Sequence, residues 1–198
     1  MFMAVISLGA RIEVKLRQDG LFMHQLRFLR DFVVVMTIAL FVVPFSAESA
    51  EKSLGTYKDW EAYTFDEGGK TVCVVWGKPQ KSQGKYKRRG DIRVFIAHRT
   101  WARPKRVNET SFEAGYTFKK DAEAVILIDG KKFTLFTDGD TAWNRSAPDD
   151  TAMTRAMRIG KKMIVEGVSS RGTKTKDTYS LLGFTAAHNA INKACKIK

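Results

Sequence analysis

Short runs rich in β-branched and aromatic residues, each bounded by turn formers, dominate the chain from residue 58 onward, and that punctuation restricts it to a β-rich architecture. The sharpest case is the pair of runs 124–128 (AVILI) and 132–136 (KFTLF) on either side of Asp129-Gly130. An Asp-Gly pair accepts the positive φ angles of a tight turn, so the two runs are expected to form a hairpin. Residues 71–76 (TVCVVW) make an unbroken apolar run, which reads as a strand buried on both faces. Ile92, Val94 and Ile96 alternate with Arg93, Phe95 and Ala97, predicting a central strand over 92–98. Segments 58–64 (KDWEAYT), 110–114, 163–168 and 178–182 read as further strands, the first with Trp60, Ala62 and Thr64 on one face. Segment 77–90 (GKPQKSQGKYKRRG) has no periodicity and six basic residues, and reads as a solvated loop.

Two helices are expected among these strands. The first begins near Pro148, with Asp149 and Asp150 in its first turn, where carboxylates complement the positive helix end. Its apolar stripe is Met153, Ala156 and Met157, and Gly160 is expected to end it in the left-handed conformation. The second spans 185–195, where Phe184, Ala187, Ile191 and Ala194/Cys195 recur on one face. The fold class expected is all-β, sandwich or barrel-like, with a short internal helix and a C-terminal helix.

The N-terminal part follows other rules. Residues 32–45 (FVVVMTIALFVVPF) carry no charge, follow Arg27 and Arg30, and precede the small residues Ser46, Ala47, Ser49 and Ala50. A positive flank, a short apolar core and a small-residue exit describe a secretory signal peptide. The apolar run falls short of the roughly 20 residues that a bilayer-spanning helix needs. Cleavage is expected after Ala47 or Ser49, and Met23 is an alternative start of translation. The expected division is a leader over 1–47 and one domain over 48–198, exported to the periplasm and associated with the outer membrane or cell surface.

Export makes the two cysteines informative. Cys73 and Cys195 both follow the leader, and an even count in an exported chain points to a disulfide. Cys195 shares the helix face of Ile191, which would turn its sulfur toward the sheet that holds Cys73. Two buried free thiols are the competing reading. Neither cysteine sits in a C-x-x-C pair, so catalysis by them is not expected.

The whole chain carries a net charge of +13, and removal of the leader leaves +11. Lys78, Lys81, Lys85, Lys87, Arg88 and Arg89 cluster in one segment, and Arg99, Arg103, Lys105 and Arg106 follow. Tyr86 and Trp101 are interleaved with them. The expected partners are anionic lipid, lipopolysaccharide or glycan surfaces, with peripheral membrane association; nucleic acid is not expected in that compartment. A competing reading leaves the charge incidental, in a structural or stress-related envelope protein.

Catalytic signatures are absent. Outside the leader only His98 and His188 remain, with no zinc-binding spacing, and there is no G-x-S-x-G elbow or phosphate-binding loop. No cofactor, no metal and no enzymatic activity are expected, although a small hydrolase assembled from separated residues is a third reading. Arg89-Gly90-Asp91 spells an integrin-binding tripeptide but reads better as a turn before the 92–98 strand.

Several segments together resemble one family. They are Asp59-Trp60-Glu61, Arg88-Arg89-Gly90-Asp91, Ile128-Asp129-Gly130-Lys131, Asp140-Thr141-Ala142-Trp143, 167–174 (GVSSRGTK) and, most specifically, 180–187 (SLLGFTAA). The chain from about residue 54 to 195 is similar to the invasion-associated locus B family of Gram-negative bacteria. The resemblance implies an exported, β-rich, non-enzymatic protein, with promotion of host-cell invasion as the founding role. Some members carry further cysteines in a Gly-Cys context, which this chain lacks.

Overall fold

The computed structural model describes residues 51–197. The expected signal segment and its cleavage sites lie outside these residues. Eleven strands and two helices follow in the order β1 (Lys52–Tyr57), β2 (Trp60–Asp66), β3 (Thr71–Gly77), β4 (Lys81–Gly84), β5 (Arg93–Arg99), β6 (Arg106–Glu113), β7 (Glu123–Ile128), β8 (Lys131–Asp138), β9 (Thr141–Trp143), α1 (Ala147–Ile159), β10 (Lys162–Val168), β11 (Lys174–Ser180) and α2 (Phe184–Ala194). The class is all-β with one internal and one C-terminal helix.

The strands form a single open, antiparallel sheet in the order β1-β2-β3-β5-β6-β9-β8-β7-β10-β11-β4. Its hydrogen bonds close no ring, yet its two ends meet. Residues 78–80 alone join β3, third in the order, to β4, which is last. The Trp60 indole N–H of β2 donates to the Ser180 carbonyl of β11 at 3.1 Å, and Gln80 N–H donates to the Thr178 carbonyl at 2.8 Å. The sheet therefore rolls into a barrel-like wrap that no ladder seals.

Inside the wrap lies one continuous core. Trp60, Val75, Ile96, Phe112, Ile126, Leu135, Met163 and Tyr179 from the strands meet Met153 and Met157 of α1 and Phe184, Ala187 and Ile191 of α2. The run at 71–76 is buried on both faces as its composition demands. Cys73 and Val75 enter the main core, while Val72 and Val74 join a second cluster with Ala97, flanked by Tyr63, Phe65, Phe95 and Trp101. The Asp129-Gly130 turn has φ of 46° and 89°, and pairs Ile128 with Lys131 as a two-residue hairpin requires.

Three strands escape the apolar pattern. β1 (KSLGTY) and β4 (KSQG) are the two sheet edges, where exposure removes the need for apolar alternation. β4 thus interrupts the segment expected to be a loop. β9 is only three residues, TAW, wedged between β6 and β8.

The helix boundaries carry one correction. Ser146 caps α1 by accepting the Asp149 N–H at 3.3 Å, and Asp149 and Asp150 occupy the first turn. Gly160 ends the helix, but at φ −80° and ψ 166° it is extended rather than left-handed. The chain passes straight into β10 there, and a Cβ would lie 2.8 Å from Ile128 Cγ2. Glycine serves close approach at this position, not an unusual dihedral.

Candidate functional site

The ten basic residues singled out in the sequence fall into two groups at opposite ends of β5. Lys78, Lys81, Lys85, Lys87, Arg88 and Arg89 precede the strand, whereas Arg99, Arg103, Lys105 and Arg106 lie at its far end. A seven-residue strand separates the groups by about 20 Å. The second group is largely neutralised or exposed singly. Arg99 pairs with Glu67 and Glu109, Arg106 also approaches Glu109, and Arg103 donates to the carbonyls of Trp101 and Ala102. In the first group Lys78 lies over the Trp76 ring.

Arg89 is not a surface cation. Its guanidinium makes two hydrogen bonds to the Asp177 carboxylate of β11, at 2.7 and 2.6 Å, and its Nε–H donates to the Ala114 carbonyl at 2.7 Å. Both side chains are buried, at 4% and 3% exposure. The group sits between two aromatic rings, 5.5 Å from the Tyr86 centroid and 5.0 Å from that of Tyr116. Burial alone would lower the Arg89 pKa, but the hydrogen bonds and charge of Asp177 outweigh it and hold it above the usual arginine value. Burial likewise raises the Tyr116 phenol, whose oxygen lies 2.6 Å from Thr175 Oγ1. The Arg-Gly-Asp tripeptide accordingly presents no free arginine, and its Asp91 pairs with Arg93.

Glycine packing places this ion pair. Gly90 N–H donates to the Gly115 carbonyl at 2.8 Å. Gly115 has φ +68°, and a Cβ there would meet the Gly90 oxygen at 2.5 Å. The β4–β5 loop and the chain leaving β6 can approach this closely only because neither position carries a side chain.

Above the pair opens a cleft of ≈ 760 Å³. Lys85, Lys87 and Arg88 line it from the β4–β5 loop, and Arg171 with Ser169, Ser170 and Thr173 lines it from the β10–β11 turn. These four cations make no ion pair among the described residues. Asp177 beneath is already matched by Arg89, so the cleft is electropositive. Sequence reading missed Arg171 and the hydroxyl row. Their signal was the turn-rich segment SSRGT at 169–173, which only the β10–β11 pairing carries to the β4–β5 loop.

The two histidines do not reach this cleft. Asn108 N–H donates to His98 Nδ1 at 3.0 Å, which leaves the proton on Nε2, 2.8 Å from Asn192 Oδ1. The Asn192 amide donates to His188 Nδ1 at 3.3 Å, and His188 Nε2–H donates to Asn108 Oδ1 at 2.8 Å. Each ring is thereby satisfied as the neutral form, with no carboxylate or hydroxyl partner among these contacts. Cys73 and Cys195 are joined in a disulfide, with their Cα atoms 6.1 Å apart. Among the described residues there is no group of three or more His, Cys, Asp or Glu side chains placed to hold a metal, and no helix is long and apolar enough to cross a membrane.

No curated protein and no solved structure matches the chain. The family model described as Invasion associated locus B (IalB) protein matches residues 60–192. That span takes in the sheet from β2 onward, all of α1, most of α2 and the basic cleft, and the chain belongs to the invasion associated locus B family of envelope-associated proteins.

Proposed function

We propose that this is an exported, non-enzymatic envelope protein that binds an anionic envelope or host-surface component through the cleft between the β4–β5 loop and the β10–β11 turn. One observation carries the reading: Lys85, Lys87, Arg88 and Arg171 line a single cleft from two loops, and the carboxylate beneath them is neutralised by Arg89. Four unpaired cations around one hollow repel each other unless an anion joins them. The non-enzymatic part rests on the histidines, which are committed to a buried neutral network away from the cleft.

Binding to immobilised heparin across a salt gradient tests the site. Reversing the charge at Lys87 and Arg88 (K87E/R88E) is expected to lower the eluting salt concentration markedly. The same reversal at Arg103 and Lys105, at the other end of β5, is expected to change it much less. Equal effects from the two pairs would make the charge incidental. N-terminal sequencing of protein from a periplasmic fraction tests export, with a new terminus at residue 48 or 50 as the expected result.

A further inference from the structure

We infer that the cleft takes a phosphorylated saccharide, with the phosphate held by Arg88 and Arg171 and a sugar ring laid against Tyr86; this rests on the anion-binding reading above. The lining argues against an acyl chain by what it lacks. Apart from Tyr86 and Tyr116, every residue around the cleft is basic, hydroxyl-bearing or glycine. No aliphatic side chain is present to receive an acyl chain. The most exposed large apolar residues, Ile159 and Leu182, lie at the end of α1 and in the β11–α2 turn. A lipid surface would need such residues beside the cations.

What the cleft does contain matches a sugar phosphate. Arg88 and Arg171 enter from different loops, and a guanidinium offers phosphate a planar two-donor fork. Ser169, Ser170 and Thr173 supply hydroxyls that both donate and accept, as sugar hydroxyls require of a partner. Tyr86 is 38% exposed and its ring is fixed from below by Arg89, so it forms a flat aromatic wall beside the cations. Amphipathic aromatic rings of this kind pack against the C–H face of a pyranose. A second hollow of ≈ 640 Å³, lined by Gly84, Lys85, Arg171 and Lys174 among others, continues past Arg171 and leaves length for more than one ring.

Calorimetry on the exported form of the chain tests this with four probes: a phosphorylated glucosamine disaccharide, its dephosphorylated counterpart, inorganic phosphate, and the acylated form of the phosphorylated disaccharide. The phosphorylated disaccharide is expected to bind at least about tenfold more tightly than the neutral sugar or inorganic phosphate. Tyr86→Ala is expected to cost about three- to tenfold for the saccharide and nothing for inorganic phosphate, with Tyr86→Phe retaining affinity. Arg171→Ala should weaken all three phosphate-bearing ligands. Equal affinity for acylated and free forms supports headgroup chemistry, whereas a preference above about tenfold for the acylated form overturns it. Indifference to Tyr86→Ala, or inorganic phosphate binding as tightly as the sugar, also overturns the saccharide inference while anion binding stands. Failure on heparin together with no response to K87E/R88E removes the anion-binding reading itself.

Discussion

His98 and His188 pack edge to face with ring centroids 5.5 Å apart, and neither has room for a second proton without breaking a bond to Asn108 or Asn192. Burial, then the neighbouring charge of His98 and Arg158, lowers the His188 pKa to about 4, and burial lowers that of His98 as well. A histidine depressed in this way contributes stability that is fully present above its unfolded value near 6.5. It is lost as pH falls toward the folded value. Asp150 works in the opposite sense. Burial raises it to about 6, against hydrogen bonds from the Asn144 side chain and the Thr110 backbone. Its contribution is present at low pH and lost as pH rises through about 6. Asp150→Asn is therefore expected to raise stability at pH 7 and to expose the histidine slope. Urea midpoints of that variant should report a loss of about 2–3 kcal/mol between pH 7 and pH 4.5 from His188. Adding His188→Gln should flatten most of that slope, and an unchanged slope would place the proton uptake elsewhere.

Beyond the strand ladders and the shared core, single turn residues fasten particular elements to one another. Asp129, at the tip of the β7–β8 hairpin, accepts the Lys161 and Lys162 backbone N–H groups at 2.8 and 3.0 Å. Those two bonds hold its carboxyl below the usual range and fasten the hairpin to the start of β10. Gly115 does the same for the loops around the cleft. Gly115→Ala forces a side chain into the left-handed region and against the Gly90 oxygen, so a destabilisation of about 1–3 kcal/mol is expected. Because Gly90 adjoins Arg89, the variant should also weaken anion binding. A titration against heparin together with a thermal melt checks both. The three-residue β9 is too short to show a period, but the other interior elements were largely legible in the sequence: 71–76, 92–98, the Asp-Gly hairpin and both helices follow from alternation, turn chemistry and apolar spacing. The edge strands β1 and β4 were not, since a strand with one solvated edge and few buried side chains leaves no period to read.

At the scale of the molecule, the roll of the sheet and the Cys73–Cys195 bond are two separate long-range ties. The disulfide ties the end of α2 to β3 across 122 residues of sequence. In the chain-entropy model a loop of that length stabilises by up to about 5 kcal/mol, and strain reduces the figure. The double variant C73S/C195S is expected to keep the fold and to lose about 2–5 kcal/mol, read as a lower denaturation midpoint. An unchanged midpoint would show that core packing alone holds α2. The same roll brings the β4–β5 loop, the exit from β6 and the β10–β11 turn to one place, and so makes the cleft.

The sequence by itself determined the β class, the hairpin, the two helices and the pair of cysteines able to bond. Each is set by neighbours within a few residues or by a side chain's own chemistry. It also marked a basic segment, but could not say which cations are free. Tertiary structure decided that. Arg89 meets Asp177 88 residues away and leaves the surface, while Arg171 arrives from another turn to take its place. Charge is legible residue by residue, but its pairing depends on which strands the roll of the sheet sets side by side.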